Sequence, residues 1–157
     1  VLLANILLAL AWAALQGEVS LRTLATGHVV GYVILFLLIR GGVLRPSPYI
    51  GRVHRVIGLA AYFLWELVWA NLRLALDVAT PRYRMKPGII AVPLDANRDA
   101  EILLLSMLIN TTPGSVALDV SPDRKTLYVH VMYMSSPEAA REEIKKGFER
   151  RVLDVLG

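Results

Sequence analysis

Residues 53–88 read VHRVIGLAAYFLWELVWANLRLALDVATPRYRMKPG, and the kind of helix they form decides how the rest of the chain is arranged. At 100° per residue, Arg55, Leu59, Tyr62, Glu66, Arg73 and Asp77 fall on one stripe, with Ala70 inside it. The opposite surface carries Ile57, Phe63, Leu64, Val68, Leu72 and Ala75. Trp65 and Trp69 suit a lipid–water boundary. Arg40, Arg45, Arg52 and Arg55 precede the apolar run, and Arg82, Arg84 and Lys86 follow it. Positive loops stay on the cytoplasmic side, so a single span between two basic ends cannot satisfy both. A span would also place Glu66 near mid-bilayer, at about 2.5–3.5 kcal/mol on the insertion scale. The stretch therefore reads as an amphipathic helix along the cytoplasmic membrane surface. A third span, with its polar stripe turned to partner subunits, is the alternative.

The rest of the chain divides around it. Hydrophobic residues make up 55% of the 157, and the excess lies in front. Residues 1–79 hold no Lys, six Arg and three acids; residues 80–157 hold eleven basic and ten acidic residues. The net charge of +4 comes mostly from Arg near the apolar segments, which favours an anionic lipid surface over nucleic acid.

Residues 1–15 are apolar except for Asn5. Fifteen residues fall short of the roughly 20 needed to span, and residues before Val1 would supply the difference. A signal peptide is disfavoured, because no basic region precedes the run and a second apolar run follows at once. Residues 21–39 are long enough to cross. The short Gln16–Ser20 connection makes the two helices an antiparallel hairpin, with Ser20 as a helix cap. Gly27 and Gly31 form a GxxxG pattern, and Ala9 and Ala13 a small-xxx-small pattern, both of which allow close approach in lipid. His28 lies between the two glycines. An intramembrane His is a functional candidate, against the plainer reading of a neutral His bonded to a neighbouring helix.

After the organising stretch the pattern becomes that of a water-soluble domain. Residues 88–94 read as a short strand and 98–110 as a core helix, capped by Asn97 or Asp99 and ended by Asn110. Thr112-Pro113-Gly114-Ser115 fits a turn. Residues 115–120 alternate with Val116, Leu118 and Val120 together, and 126–134 with Leu127, Val129, Val131 and Tyr133 together. Ser136-Pro137 opens a last helix whose buried face is Ala140, Ile144, Phe148 and Val152, with Glu142–Lys146 as an exposed pair. The fold class is a membrane α+β protein. Residues 1–39 form a transmembrane helical hairpin, 40–87 a basic linker and amphipathic helix, and 88–157 a cytoplasmic β-α-β-β-α domain with two helices on one face of its sheet.

Chemistry is sparse. There is no cysteine, so thiol chemistry and iron–sulfur ligation by this chain are excluded. Asp119-x-Ser121-x-Asp123 has calcium-loop spacing, but Arg124 and His130 stand where that loop needs Gly and Glu, so it reads as a hairpin turn. His28, His54 and His130 have no metal spacing, and there is no phosphate loop or dinucleotide fingerprint. The chain is read as a non-enzyme with no catalytic, cofactor-binding or metal-binding residue. Glu66, Arg73, Asp77, His28, Gly27 and Gly31 are the candidates for subunit contact or ion coupling. Arg55 and Arg73 on the stripe oppose cation passage along it.

Four blocks in order carry a family resemblance: FLWELVWANLRLALDV (63–78), KPGIIAVPLD (86–95), NTTPGSVALDVSPD (110–123) and LYVHVM (127–132). Together they resemble the E-type subunit of the multisubunit Mrp-type Na⁺/H⁺ antiporters. Related subunits occur in archaeal membrane-bound hydrogenase and sulfur-reducing complexes. The chain departs from the pattern at Arg124, where a Gly commonly follows the Asp, so the turn there is expected to differ. The resemblance implies an inner-membrane, multi-pass accessory subunit of a cation/proton antiporter complex, with other membrane subunits as partners and no cofactor of its own. An equivalent subunit of a redox-driven complex and a free-standing membrane-tethered regulatory domain are the competing readings.

Overall fold

The computed structural model describes residues 1–45, 48–80 and 85–157. Arg82 and Arg84 of the flanking basic group, and Pro46 of the linker, lie outside the described residues. These residues group into two compact bodies, Val1–His54 and Arg55–Gly157.

The first body is built on α1 (Leu2–Gln16) and α2 (Leu21–Arg40), with the start of α3 (Pro48–Ala79). Gly17 ends α1 in the left-handed region at φ 73°, a conformation glycine adopts without a Cβ penalty. Ser20 caps α2 as the sequence predicts. Its Oγ accepts from the Thr23 N–H at 3.2 Å, and Thr23 Oγ1 accepts from the Ser20 N–H at 2.9 Å. The small residues form the seam. Ala9 and Ala13 of α1 and Gly27, Gly31 and Leu35 of α2 are all buried. A Cβ at Gly27 would stand 2.9 Å from the Ala9 backbone and from Trp12 Cβ. Gly31 faces Asn5 and Leu8, so the helices run antiparallel. By length and composition Leu21–Arg40 and Tyr49–Ala79 are each able to cross a hydrocarbon layer, whereas α1 is shorter. α3 begins at Pro48, earlier than the hydrophobic pattern suggests.

The second body joins most of α3 to β1 (Gly88–Pro93), α4 (Asp99–Thr111), β2 (Ser115–Val120), β3 (Thr126–Val131) and the last helix. That helix runs as α5 (Pro137–Ile144), a π turn (Lys145–Glu149) and α6 (Arg150–Leu156). The sheet is antiparallel in the order β1-β3-β2. Ile90, Val92, Leu127 and Val129 meet Leu105, Ile109, Ala140, Ile144, Phe148 and Val152 in one core, which Leu59 of α3 joins. The predicted buried face of the last helix is correct, and the π turn explains how it works. Positions four apart drift by about 40° per step on an α-helix. A wider turn in mid-helix returns Phe148 and Val152 to the core side.

Two expectations about the domain are corrected. Val116 and Leu118 do not point inward with Val120; both are exposed. The register shifts between Ala117 and Asp119, leaving Leu118 without a partner, and such a bulge inverts the alternation. Ala117 and Val120 therefore face the core. Neither Asn97 nor Asp99 caps α4. Glu101 reaches back instead, and its Oε2 accepts the Asn97 and Arg98 N–H groups at 3.0 and 3.1 Å. Asn110 serves the edge of β2, accepting the Ala117 N–H at 2.7 Å. On the other edge, Arg141 and Lys145 donate to the Ala91 and Pro93 carbonyls at 2.9 and 2.7 Å. Side chains thus occupy backbone groups on both sheet edges, which opposes edge-to-edge association.

Candidate functional site

The polar stripe of α3 is where the sequence candidates gather. Within the second body this stripe faces the C-terminal domain. Leu59 and Asp77 are buried, Tyr62, Glu66 and Ala70 are half-buried, and Arg73 is exposed. At one end the Tyr62 ring stands edge-on to Phe148 with centroids 5.3 Å apart, and the Arg151 guanidinium lies 3.9 Å over it. The Tyr62 hydroxyl interacts with Glu66 one turn along and rests where Gly147 of the π turn has no Cβ. At the other end Arg73 lies 5.4 Å over the Tyr133 ring. Burial pushes the Tyr133 phenol up, and the Asp77 carboxylate beside its hydroxyl adds to that. Between these ends runs a cleft of about 80 Å³, into which Glu66, Arg73 and Glu143 project among Trp69, Thr112 and Tyr133.

Among the described residues no ion pair joins Arg73 to Asp77. Arg73 turns onto the Tyr133 ring and Asp77 is buried beside the same side chain. Phe63, which the helical wheel puts on the apolar side, is half-buried against the core. The remaining apolar side, from Ile57 through Leu64, Trp65, Val68, Trp69 and Leu72 to Leu76, stays exposed, Trp65 at 66%.

In the first body Gly27 and Gly31 lie in the α1–α2 seam and His28 between them is half-buried. His28 makes no hydrogen bond among the described residues. The polar group that matters here is Asn5, which is fully buried and donates to the Tyr49 hydroxyl at 2.9 Å. Its Oδ1 lies where a Gly31 Cβ would stand, so the glycine Cα–H is its neighbour. His54 Nδ1 lies 2.9 Å from both the Tyr32 hydroxyl and the Ile50 carbonyl, and its ring packs on Phe36. The signal for Asn5 is present in the sequence, since it is the one polar residue in an apolar run.

Comparison with known proteins decides the family. The model of the Na⁺/H⁺ ion antiporter subunit family matches residues 5–155. The E-type Na⁺/H⁺ antiporter subunit of Alkalihalophilus pseudofirmus is 36% identical over 98% of this chain and 96% of its own length. That of Bacillus subtilis is 33% identical over the same shares. The chain belongs to the family of E-type Na⁺/H⁺ antiporter subunits. Among solved structures, a chain of the archaeal membrane-bound sulfane sulfur reductase is 27% identical, with a TM-score of 0.56 over 96% of this chain and 95% of that one. A chain of the Mrp complex from Dietzia sp. shares the fold at a TM-score of 0.51 and 23% identity, covering 66% of this chain and 96% of that one.

One element of this E-type antiporter subunit escapes sequence reading altogether. Four consecutive amides, Asp95 to Arg98, are held by two buried carboxylates. Glu149 Oε1 accepts from Asp95 and Ala96 at 2.6 and 3.1 Å, and Glu101 takes the next two. Lys145 joins Glu149 and Asp95 at 3.1 and 2.9 Å. Burial alone would lower the Lys145 ammonium, but its bonds to Asp95 and Glu149 outweigh that and hold it above its usual value. Arg98 pairs with Glu101 at 2.5 Å and also donates to the Leu156 carbonyl. The loop after β1 is therefore fastened to the last helix. Glu101 and Glu149 look like surface acids in sequence, and only their burial reveals the clamp.

Proposed function

We propose that this chain is an accessory, structural subunit of a multisubunit monovalent-cation/proton antiporter complex, supporting assembly and ion transport at the cell membrane. The observation that carries this reading is the destination of the α3 polar stripe. Glu66, Arg73 and Asp77 are engaged with or beside the chain's own C-terminal domain, while the apolar side of the same helix is exposed. A helix so arranged offers contact surface rather than an ion path of its own. Ion translocation then belongs to partner subunits, and Glu66, Gly27 and Gly31 act through assembly.

The same geometry supports a surface position for α3, with the C-terminal domain cytoplasmic. From Leu59 to Asp77 the domain-facing stripe runs about 27 Å at 1.5 Å per residue, nearly the roughly 30 Å of hydrocarbon. A spanning α3 would draw the charged surface of the domain into the bilayer with it, at a cost the exposed apolar side does not offset. Cysteines at positions 45 and 125, labelled from each side of the membrane, test this. Two spans put both on the cytoplasmic side, and three put them on opposite sides.

Glu66→Ala tests the role. It should lower complex assembly and transport together; loss of transport in a fully assembled complex would instead give Glu66 a direct place on an ion path. The similarity to a sulfane sulfur reductase chain supports a second reading, an equivalent subunit of a redox-driven complex. Mass spectrometry of the native complex after mild solubilisation separates the two, because iron–sulfur subunits co-purify only in the second. A native chain that comes out of its own membrane free of other subunits under mild solubilisation would contradict both.

A further inference from the structure

A cavity of about 300 Å³ lies beside the C-terminal half of α3, lined by Trp69, Leu72, Arg73, Leu76, Asp77 and Tyr133. Its walls are of two kinds. Trp69, Leu72 and Leu76 belong to the exposed apolar side of the helix, each more than half exposed. Arg73 and Asp77 belong to the polar stripe, one turn apart, where side chains four positions along a helix are about 5–6 Å apart at Cβ. Arg73 is exposed and makes no ion pair among the described residues, while Asp77 is only 6% exposed. The cavity thus offers one cation, one anion and an apolar shelf, at the line where the apolar side of α3 meets the domain.

Charge complementarity selects the occupant. An anionic group that reached Arg73 would also meet the Asp77 carboxylate, and a lone cation that reached Asp77 would meet Arg73. A short group carrying both signs satisfies both. We propose that this cavity holds the headgroup of an ethanolamine phospholipid. The phosphate oxygens accept hydrogen bonds from the Arg73 guanidinium, and the ammonium donates to the Asp77 carboxylate. The glycerol and first methylenes lie on Trp69, Leu72 and Leu76. The apolar shelf makes the source a lipid rather than a free phosphoethanolamine. This inference rests on the surface position proposed for α3.

The test uses the full chain in phosphatidylcholine nanodiscs containing a minority of brominated lipid. One variant keeps Trp69 alone (Trp12→Phe, Trp65→Phe) and a companion keeps Trp65 alone. Brominated phosphatidylethanolamine should quench Trp69 more strongly than brominated phosphatidylglycerol or phosphatidylcholine. Arg73→Gln and Asp77→Asn should each remove that preference and leave Trp65 quenching unchanged. Equal quenching of Trp69 by all three lipids in the otherwise unaltered chain overturns the headgroup site, whatever the two charge variants do. Loss of the preference on adding millimolar soluble phosphoethanolamine overturns the lipid assignment. The surface position fails separately, if bromines at the chain end quench Trp65 more than bromines near the headgroup.

Discussion

The ring of Tyr62 on α3 meets the ring of Phe148 edge-on, 5.3 Å between centroids and 74° between planes. Phe148 sits in the π turn of the last helix, so this contact ties the amphipathic helix to the most irregular turn of the domain. Tyr62→Ala removes the ring that Phe148 and Arg151 share and should cost about 2 kcal/mol. Tyr62→Phe keeps the ring and should cost much less. Thermal unfolding of the detergent-solubilised full chain checks the order; equal melting of both variants and the parent would mean the contact holds nothing.

Glu149→Ala strips the acceptor from the part-buried Asp95 and buried Ala96 amides and leaves Lys145 with Asp95 and the Pro93 carbonyl. Breaking a buried, hydrogen-bonded pair from one side costs about 3 kcal/mol or more. The loss should exceed that of Glu142→Ala, whose pair with Lys146 is exposed and screened by solvent. Denaturant titration of the two variants compares them directly.

The clamp also sets a pH dependence with two limbs. The Arg98 N–H beside Glu101, helped by the Asn97 N–H and the Arg98 guanidinium, holds that carboxyl below its usual range against its burial. Its contribution is complete above the unfolded-state value and is lost as pH falls through the lower, folded one. Lys145 is raised, so its contribution is complete below its unfolded-state value and is lost as pH rises through the higher, folded one. Melting temperatures of the parent and Glu101→Gln should converge on the acid side, and those of the parent and Lys145→Met on the alkaline side. A constant gap across the whole range would contradict both limbs.

Gly27→Leu forces a side chain into a space where even a Cβ would lie 2.9 Å from the Ala9 backbone. The α1–α2 hairpin has to separate locally, and overpacking of this kind costs about 1–3 kcal/mol. Yield of the intact complex on native gels should fall. The same substitution at Gly51, which has open space around it, should leave the yield unchanged.

Arg124 takes a left-handed backbone at φ 59° in the β2–β3 turn. The position therefore has a conformation that suits a glycine, although an arginine occupies it. The local bonds explain why it persists. Asp123 Oδ1 accepts from the Ser121 hydroxyl at 2.5 Å and the Lys125 N–H at 3.2 Å, and the Asp99 pair holds the Arg124 side chain at 2.6 Å. Arg124→Gly relieves about 1 kcal/mol of backbone strain and gives up an exposed ion pair worth less. A melting temperature equal to or above the parent is expected, and a clear drop would assign the ion pair more weight than its exposure allows.

Much of this molecule is legible from periodicity and punctuation. The spacing of Ala9, Ala13, Gly27 and Gly31 announces the hairpin seam, because small residues at helical intervals have one use in an apolar pair. Ser20 and Ser136-Pro137 mark helix starts by local bonding that needs no distant partner. The stripe through Glu66, Arg73 and Asp77 is visible on a wheel. Its destination is not, since the pattern is the same whether the stripe meets water, a partner or the chain's own domain.

The order of elements and the faces of the helices follow from short-range rules, for which neighbours along the chain carry all the information. What required the folded chain is everything set by residues far apart. The bulge that turns Leu118 outward exists only in register with β3. The burial of Glu149 against amides more than fifty residues away turns an apparent surface acid into a fastening. Residues 53–88 show the same division. Their amphipathic character is written in the spacing, while the placement of Tyr62 on Phe148 and of Arg73 on Tyr133 depends on residues sixty to ninety positions further along the chain.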